Sequence, residues 1–394
     1  MSNIPKLRFP EFSVEWEEKK LSDFMTRLTR KNSNNESSRA LTISSVDGLI
    51  DQGEFFKKQI ASKDTSGYYL LKKGDFAYNK SYSVGYDYGS IKRLDRYEDG
   101  VVSTLYICMS LTSDTNSDYL THYFDSMKWN KSVSEISAEG ARNHGLLNIP
   151  TEAFFQTKHY LAPSLPEQQK IADFLSNVDS IITAETKILN TLQKKKKALM
   201  QKLFTRQLRF KSADGTDFPA WEEKKLGECV EILDSQRKPI ESKERANRKG
   251  EYPYYGASGI IDYIDDYLFE GESILLGEDG ANIINRNSRL AFIATGKYWV
   301  NNHAHIMKAN ADNLNYFICE YLESLDYSKI CAGSAQPKLT QDVIRNLTIK
   351  APCKAEQQKI ADCLSSMDSL IQNQQKVVTA WQQRKKALLQ QMFI

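Results

Sequence analysis

EQQKIADFLSNVDSII, at residues 167–182, returns as EQQKIADCLSSMDSLI at residues 356–371, with twelve of the sixteen positions identical. The match continues without a gap through KKKKALMQKLF (Lys194–Phe204) and its counterpart within QQRKKALLQQMF (Gln382–Phe393). No catalytic group is recognisable in the repeated stretch. A segment that occurs twice, 189 residues apart, indicates a structural or docking role that the molecule needs twice.

A second repeat marks the start of each half of the chain. WEEKKL occurs at Trp16–Leu21 and again at Trp221–Leu226, whereas the residues between the two kinds of repeat look little alike. Because two long units are too few for a solenoid, this arrangement predicts a pseudo-dimer within one chain. Constant ends suit assembly with a constant partner, and divergent middles suit discrimination between two different targets.

The long repeat has the apolar pattern of a helix, with a heptad seam sustained over about five heptads. Polar residues fill two places in each seam, Glu185 and Lys196 in the first copy and Gln374 and Lys385 in the second. We expect the seams to serve both helix pairing and the docking of a partner protein. The seam residues are Ile171, Leu175, Val178, Ile182, Leu189, Leu192 and Leu199, then Ile360, Leu364, Met367, Ile371, Val378, Trp381 and Leu388.

The two long helices are expected to pair with each other in antiparallel orientation. The link from Phe204 to Trp221 is short, so the second helix can run back beside the first, whereas parallel pairing needs a longer return of the chain. A coiled coil between two chains is the alternative, because sequence alone does not fix coiled-coil partners. The antiparallel arrangement would place one globular domain at each end of the helix pair.

The first long helix has a start signal in its sequence. The stretch 164–167, Ser-Leu-Pro-Glu, matches a capping box, and proline is tolerated in the first turn of a helix. The second copy has Cys353 and Ala355 where the first has Ser164 and Pro166, and cysteine is a poor cap. We therefore expect the second helix to fray more readily at its start.

Both divergent middles are expected to be mixed α/β domains. In the second, Lys297–Lys308 is a predicted strand that would place His303 and His305 on one face. Tyrosine-rich loops are predicted at Ser81–Ser90 and Tyr252–Gly259. The expected fold is α+β, with two mixed α/β domains separated by two long antiparallel helices in a pseudo-two-fold tandem repeat. The expected segments are domain 1–163, helix 164–206, domain 207–352 and helix 353–394.

Composition favours a reduced, cytoplasmic protein. The six cysteines form no CxxC pair, and no apolar run approaches the roughly 18 residues of a membrane span. The N-terminal MSNIPKLRFPEF lacks the apolar core of a signal peptide. The net charge is only +3, but Glu185–Lys211 holds nine basic residues and one acid. Such a run suits either a solvated helix face or an anionic partner.

The sequence shows little sign of catalysis or of metal binding. It contains no Gly-x-Gly, so the dinucleotide-binding fingerprint is missing, and it contains no Pro-Pro pair, so the Asn/Asp-Pro-Pro-Tyr/Phe motif of amino-methyltransferases is missing too. NNHAHIM brings His303 and His305 together, but a metal site needs a third ligand and none is nearby. We expect a structural or polar-contact role for both histidines, no metal site and no catalytic residue.

Several motifs carry a resemblance to a known family: PSLPEQQKIADFL and KKKKALMQKLF, their second copies, YPYYGASGIIDYIDD and NNHAHIM. They are similar to those of the specificity (S) subunits of type I restriction–modification systems, and the resemblance covers nearly the whole chain. It implies a non-catalytic DNA-binding subunit of a methyltransferase and endonuclease complex. Two target-recognition domains would each read one half of a bipartite double-stranded DNA site, and two conserved antiparallel helices would separate them.

The same resemblance implies the partners and their cofactors. The two helices would hold two modification (methyltransferase) subunits on equivalent surfaces, and restriction (translocase and endonuclease) subunits would join them. S-adenosylmethionine, ATP and Mg²⁺ are expected on those partners, and no cofactor is expected on this chain. No membrane is involved, and DNA methylation and restriction would take place in the cytoplasm.

Residues that contact DNA are predicted from side-chain chemistry and from their place in loops. Arginine and asparagine can pair with guanine and adenine edges, whereas lysine mostly contacts phosphate. An ordinary surface position is the alternative for each candidate. The candidates are Lys80, Tyr82, Arg142 and Asn143 in the first domain, and Tyr255, Ser258, Arg286, Asn287, Gln336 and Lys338 in the second.

Two other functions stay open from the sequence. The first is a DNA-binding scaffold without methyltransferase partners, and the second is an enzyme with an unrecognised active site in one divergent middle. A methyltransferase that co-purifies in fixed stoichiometry would separate the S-subunit interpretation from the first. Methylation or cleavage of DNA by the chain alone would favour the second.

Overall fold

A computed structural model describes residues 3–56, 61–62, 64–112, 115–137, 147–331 and 337–394 of the chain. They form two units, one made of Met1–Thr186 with Lys376–Ile394 and the other of Lys187–Gln375. Each unit contains one mixed α/β domain and half of each of two long helices, so the predicted α+β architecture is confirmed. The predicted boundaries of the four segments remain a prediction.

The secondary structure of the first half of the chain runs from a short strand to the first long helix. Its elements are β1 (Glu17–Lys20), α1 (Leu21–Phe24), β2 (Met25–Arg27), β3 (Leu41–Ser44), β4 (Gly48–Asp51), α2 (Gln52–Phe56), β5 (Tyr69–Lys72), β6 (Phe76–Asn79), β7 (Ser90–Arg93), β8 (Asp99–Val102), β9 (Ile107–Leu111), α3 (Ser117–Asp125), α4 (Asn130–Ile136), α5 (Thr151–Phe155), β10 (Lys158–Leu161) and α6 (Leu165–Phe204).

The second half of the chain repeats this course and ends on the second long helix. Its elements are β11 (Glu222–Lys225), α7 (Leu226–Cys229), β12 (Val230–Ile232), α8 (Ser242–Ala246), β13 (Lys249–Gly256), β14 (Gly259–Ile264), β15 (Phe269–Glu270), β16 (Ser273–Gly277), α9 (Asn282–Asn285), β17 (Ala291–Ala294), β18 (Lys297–Val300), β19 (Ala304–Ala309), α10 (Asn315–Ser324), α11 (Gln341–Arg345), β20 (Thr348–Ala351) and α12 (Lys354–Met392).

Both domains are built on the same four-stranded antiparallel sheet. Its strand order is β2-β9-β6-β7 in the first domain and β12-β19-β16-β17 in the second. Strand β16 is buried along its whole length, as expected of a central strand whose two faces are both covered. Because β6 and β16 hold the same place in the sheet, the divergent middles share a framework that their sequences do not reveal.

The WEEKKL repeat supplies the first strand of each domain, and that strand pairs with the strand directly before a long helix. Glu17 lies opposite Leu161 in the antiparallel pair β1–β10, and Glu222 lies opposite Ala351 in β11–β20. The two constant ends of each half of the sequence therefore meet in space, although a whole divergent domain separates them along the chain.

A buried carboxylate at the start of α6 holds the N-terminal part of the chain. The carboxylate of Glu167, which is 1% exposed, accepts hydrogen bonds from Arg8 Nε (2.7 Å) and Nη2 (2.9 Å) and from Trp16 Nε1 (3.1 Å). Ser164 accepts the backbone N–H of Glu167, as the predicted cap does. In a capping box the glutamate side chain would accept the backbone N–H of Ser164. Here the Glu167 side chain instead binds Arg8 and Trp16, and this anchor fixes the start of α6 to the residue before β1.

The second copy of the repeat makes the same anchor. Glu356 is 0% exposed and accepts from Arg209 Nε (3.0 Å) and Nη2 (2.7 Å) and from Trp221 Nε1 (3.1 Å). The two arginines belong to LRF tripeptides at 7–9 and 208–210. This third repeat is very short, and its role becomes visible only because the fold brings it to the start of a helix.

The glutamine after each carboxylate caps a helix of the attached domain. Gln168 accepts the backbone N–H of Asn116 (2.8 Å), and Gln357 accepts that of Leu314 (3.0 Å). Asn116 and Leu314 are the residues at the N-terminal ends of α3 and α10. The Glu-Gln pair of each EQQK repeat therefore ties a long helix both to the first strand and to a helix of its domain.

In each unit the start of one long helix packs beside the end of the other. In the first unit, Ile171 of α6 shares a hydrophobic cluster with Met392 of α12. In the second unit, Leu203 of α6 shares a cluster with Leu364 of α12. This confirms the predicted antiparallel pairing of the two helices. All predicted seam residues are buried or partly buried.

Ion pairs occupy a polar gap in each seam. In the second unit, Lys196 Nζ lies 2.7 Å from Asp368 on α12 and 2.8 Å from Glu320 on α10. In the first unit, the equivalent Lys385 lies 2.7 Å from Asp179 on α6. A slip of the helices by one heptad would separate both lysines from these aspartates, so the pairs select one register.

The substitution Glu356→Ala tests the carboxylate anchor. It should lower the free energy of unfolding by about 2–3 kcal/mol, because Trp221 loses its acceptor in the core and Arg209 loses its charged partner. The Arg209 side chain is 30% exposed, so water replaces part of the interaction that it loses. Urea unfolding followed by tryptophan fluorescence measures the change.

The matched control for this substitution is Glu222→Ala, which removes an exposed carboxylate from the neighbouring strand β11. It should leave the free energy of unfolding nearly unchanged, because exposed ion pairs contribute little. Equal effects of the two substitutions would contradict the anchor.

Candidate functional site

The connections that follow the equivalent central strands β6 and β16 differ between the two domains. Lys80 and Tyr82 come directly after β6, and Glu278–Gly280 come directly after β16. Loops carried by a rigid sheet are where binding residues are most often found. The shared sheet therefore presents a variable loop at the same point of each domain.

In the second domain, the hairpin β13–β14 reaches the connection after β16. The turn of this hairpin, Ala257–Ser258, lies between the paired residues Gly256 and Gly259. At the end of β16, Gly277 has no room for a side chain, because a Cβ would lie 2.7 Å from the carbonyl oxygen of Ala257. A loop was predicted at Tyr252–Gly259. Its first half is wrong, because residues 252–256 belong to strand β13, where β-prone tyrosines pair with β14.

A turn interrupts the predicted strand Lys297–Lys308. The side-chain oxygen of Asn301 accepts the N–H of His303 (2.8 Å) and closes a turn, which leaves β18 and β19 in two different sheets. His303 is exposed in this turn, and His305 is buried in β19. The prediction that the two histidines share one strand face is therefore wrong.

Backbone hydrogen bonds join this turn, the hairpin and the connection after β16. The N–H of Asn301 donates to the carbonyl of Tyr255 (3.0 Å), and the N–H of Glu278 donates to the carbonyl of His303 (2.9 Å). The N–H of Leu339 donates to the carbonyl of Glu278 (2.8 Å). We call the group that results the second-domain surface: Ser258, Glu278–Gly280, Asn302–His303 and Lys338.

Two predicted DNA contacts of the second domain, Ser258 and Lys338, lie at this surface, and a third, Tyr255, lies next to it. Ser258 is exposed, Tyr255 is partly buried beside it, and Lys338 Nζ lies 3.2 Å from the Glu278 carboxylate. His303 was singled out in the sequence but was not predicted to contact DNA, and its Nδ1 lies 2.8 Å from the Asp279 carboxylate. Asn301 is the sequence signal that could have indicated an exposed His303, because an asparagine side chain often accepts the N–H two residues later and closes a turn there.

A buried polar network supports the second-domain surface. His305 is 1% exposed, and its Nδ1 lies 2.6 Å from the Asp234 carboxylate while its Nε2 lies 2.8 Å from the carbonyl oxygen of Leu339. Arg237 donates to the Glu278 carboxylate (2.9 Å). Burial opposes the ionisation of Asp234, but the hydrogen bond from His305 and other nearby donors outweigh it and hold the pKa of this carboxyl below its usual value.

The structure places Arg286 and Asn287 in a different part of the second unit. They line a cleft of about 890 Å³ together with residues of α6 and α10. The Arg286 guanidinium lies 2.8 Å from the carboxylate of Glu323 and also donates to the Glu323 carbonyl. The φ of Arg286 is +49°, in a left-handed region that few non-glycine residues adopt. Both residues remain predicted DNA contacts, although the guanidinium is engaged within its own domain.

In the first domain, the structure describes two of the predicted DNA contacts. Lys80 is partly buried, which lowers the pKa of its ammonium group, and its carbonyl accepts the N–H of Leu147 (3.0 Å). Tyr82 is 56% exposed. These two remain predictions. Three further candidates lie outside the described residues: Arg142, Asn143 and Gln336.

Each long helix carries a second apolar stripe outside the seam, and we call it the outer stripe. On α6 it consists of Phe174, Ile181 and Ile188, and on α12 of Cys363, Leu370 and Val377. All except Cys363 are exposed, and each residue is seven positions from the next. The two stripes occupy equivalent positions of the repeat. The heptad pattern predicted only one apolar seam on each helix, so these stripes were not expected from the sequence.

Two kinds of site are not found among the residues that the structure describes. No group of three His, Cys, Asp or Glu side chains there could hold a metal ion, and no helix there is long and apolar enough to cross a membrane. The acidic and histidine side chains around the second-domain surface are instead paired with one another and with Arg237 and Lys338.

A family model described as the type I restriction modification DNA specificity domain matches residues 13–194 and 220–380. One relative is the MjaVIII type I restriction enzyme specificity subunit of Methanocaldococcus jannaschii, which is 24% identical over 97% of this chain and 92% of that one. Another is the putative specificity subunit S.HindORF215P of Haemophilus influenzae, which is 34% identical over 37% of each chain.

Two solved structures are similar to this chain in fold. The S subunit of a type I restriction–modification system from M. genitalium has a TM-score of 0.58, with 14% identity over 99% of both chains. A chain from a structure of complex assembly and conformational transition in the type I R-M system has a TM-score of 0.54, with 16% identity over 96% of this chain and 97% of that one. At these identities the likeness shows the fold alone.

The substitution Asp234→Asn tests the network beneath the second-domain surface. At pH 7 it should destabilise the protein by about 2 kcal/mol, because His305 loses a charged acceptor. A carboxyl whose folded pKa is lowered contributes stability above its unfolded pKa of about 3.9 and loses it as the pH falls through the folded value. The difference between wild type and variant should therefore shrink below about pH 4.

Urea unfolding between pH 7 and pH 3 measures this difference. Asp266→Asn, which changes a mostly exposed carboxylate of the same domain, is the control and should have little effect at any pH. A difference between wild type and Asp234→Asn that stays constant down to pH 3 would contradict the assigned ionisation of Asp234.

Proposed function

The chain belongs to the family of type I restriction–modification DNA specificity domains, and from this premise we propose that it reads a bipartite DNA site, one half with each domain. As a specificity subunit, it is a DNA-recognition component of a type I system. The proposal goes further in three respects: the division of the site between the domains, the number of methyltransferase subunits, and the absence of catalysis in this chain.

The single observation that carries the proposal is the pair of identical sheets with different loops. Order and direction of the strands agree between β2-β9-β6-β7 and β12-β19-β16-β17, whereas the connections after β6 and β16 differ in sequence. A common framework keeps the loops in equivalent positions, and different loops present different side chains to base edges. This arrangement supports two readers of different sequence within one chain.

The outer stripes support the docking of two copies of one partner. Exposed apolar residues at heptad spacing on a helix are typical of a helix that packs against another helix. Because the stripe of α6 recurs on α12 at equivalent positions of the repeat, the chain offers two similar surfaces. We infer that each stripe binds one methyltransferase subunit and that restriction subunits join the resulting complex.

Catalysis is assigned to the partners in this proposal. The methyltransferase subunits would bind S-adenosylmethionine and methylate the DNA, and the restriction subunits would use ATP and Mg²⁺ for translocation and cleavage. The present chain would hold no cofactor and would act in the cytoplasm on double-stranded DNA. Its contribution is to select the site and to position the partners on it.

Exchange of residues 22–160 for the corresponding middle of another family member tests the division of the DNA site. Only one half of the methylated sequence should change, because the second domain and both helices are left intact. Methylome sequencing of cells that carry the exchanged chain with its partners reads the result. Changes in both halves of the site would refute the assignment of one half-site to each domain.

Charge substitutions in the outer stripes test the docking proposal. Ile181→Glu should weaken the binding of one methyltransferase copy, Leu370→Glu that of the other, and the double variant should bind neither, since a carboxylate is costly to bury in an apolar interface. Analytical ultracentrifugation of the co-expressed proteins measures the mass of each complex. The matched controls are Thr183→Glu and Gln372→Glu, which place the same charge two residues further along, on exposed positions outside the stripe. Loss of partner in the controls as well would contradict the proposal.

A further inference from the structure

Two valines of the first domain are more exposed than any other large apolar side chain that the structure describes. Val46 is 83% exposed and Val84 is 91% exposed. Isolated surface aliphatic residues are ordinary, but these two stand on neighbouring turns. Whether the two valines form a binding element therefore depends on the residues around them.

Both valines lie at the apex of a closed turn. Val46 lies between Ser44 and Asp47, where Ser44 Oγ accepts the N–H of Asp47 (3.0 Å) at the end of the hairpin β3–β4. Val84 follows Ser83 in a turn in which the N–H of Tyr86 donates to the Ser83 carbonyl (2.8 Å). Because hydrogen bonds close both turns, the two side chains are held outward rather than carried on an unstructured loop.

The two turns are adjacent and lie at the end of the central strand. Ser45 Oγ lies 3.2 Å from Ser83 Oγ and 3.3 Å from Ser90 Oγ. Ser90 begins β7 and pairs with Asn79, the last residue of β6. Val84 is therefore on the connection after β6, which is equivalent to the connection that forms part of the second-domain surface, and Val46 lies beside it on the turn of the hairpin β3–β4. We call Val46 and Val84 the valine tip.

Folding does not account for valine at these positions. Turn apices favour Gly, Asn, Asp and Ser, and β-branched residues suit strands instead. Neither side chain is buried, so neither contributes to the core. The exposed carboxylates of Asp47 and Asp87 are close in sequence to the tip and would repel a phosphate. The tip is therefore unsuited to the DNA backbone and suited to an apolar group on a base.

We propose that the valine tip packs against the C5-methyl groups of thymine in the major groove of the half-site read by the first domain. Thymine is the base whose major-groove edge carries a methyl group, and aliphatic side chains recognise it by apolar contact. A preformed tip loses little conformational entropy when it binds. This inference rests on the proposed function, because it assigns a specificity element to the first DNA-reading domain.

Deoxyuridine tests the proposal without changing any base pair. Each thymine of the half-site is replaced in turn by deoxyuridine, which lacks only the methyl group, and binding of the complete complex with its methyltransferase is measured by fluorescence anisotropy. Wild type should lose affinity by about fourfold for each methyl group that the tip covers. The variant Val46→Ser with Val84→Ser, whose serines suit turns, should bind thymine and deoxyuridine DNA equally.

The matched control is Val14→Ser, which changes another exposed valine, in the N-terminal segment where Arg8 donates to its carbonyl. It should remain as sensitive to the thymine methyl as wild type. Sequence-specific binding by wild type without any deoxyuridine effect would overturn the inference and leave the proposed function standing. A methyl effect that persists in the double-serine variant, or a variant that loses methyltransferase but not DNA, would also overturn it. Absence of sequence-specific binding by the wild-type complex would refute the proposed function itself.

Discussion

Two buried carboxylates, Glu167 and Glu356, each join the start of a long helix to the first segment of the corresponding half of the chain. Each lies in the first turns of a long helix and accepts hydrogen bonds from an arginine and a tryptophan near the start of its half of the sequence. A buried charge without such partners would cost several kcal/mol, so the helix start, the first strand and the N-terminal segment of each half must come together. The adjacent glutamine adds a domain helix to the same point.

The ion pairs between the long helices extend this constraint. Lys196 with Asp368 and Lys385 with Asp179 are the same pair made twice, once in each unit, by residues that correspond in the two copies of the repeat. Apolar heptads alone would tolerate a slip by one repeat, whereas these pairs would be broken by it. Each lysine also lies near an acidic residue of the attached domain, and this third partner differs between the units. It is Glu320 on α10 in the second unit and Asp125 on α3 in the first. The duplicated scaffold is thus constant in its helix contacts and variable where it meets the domains.

Much of the scaffold could be predicted from the sequence, because helix periodicity is a local signal and the repeat shows it twice. The seam residues and the antiparallel pairing follow from that pattern. The roles of Arg8 and Arg209 could not be predicted, since their partners lie 159 and 147 residues away and no periodicity links them. The shared sheet was hidden for a similar reason: strand order depends on pairing across the domain, and the two middles differ in sequence. The predicted strand Lys297–Lys308 was wrong at NNHAHIM, because the side chain of Asn301 closes a turn within this β-prone run. Of the predicted DNA contacts in the second domain, Tyr255, Ser258 and Lys338 lie close to one another. Arg286 and Asn287 lie elsewhere, in the cleft beside α6 and α10.

We propose that this chain contains two equivalent readers, each responsible for one half of a DNA site. Photo-cross-linking to DNA can assign each half-site to a domain. DNA that carries a photoreactive base in one half-site is bound to the complete complex and irradiated, and the cross-linked peptides are identified by mass spectrometry. We expect probes in one half-site to label only the domain that precedes α6, and probes in the other to label only the domain between α6 and α12. Labelling of a single domain from both half-sites would contradict it.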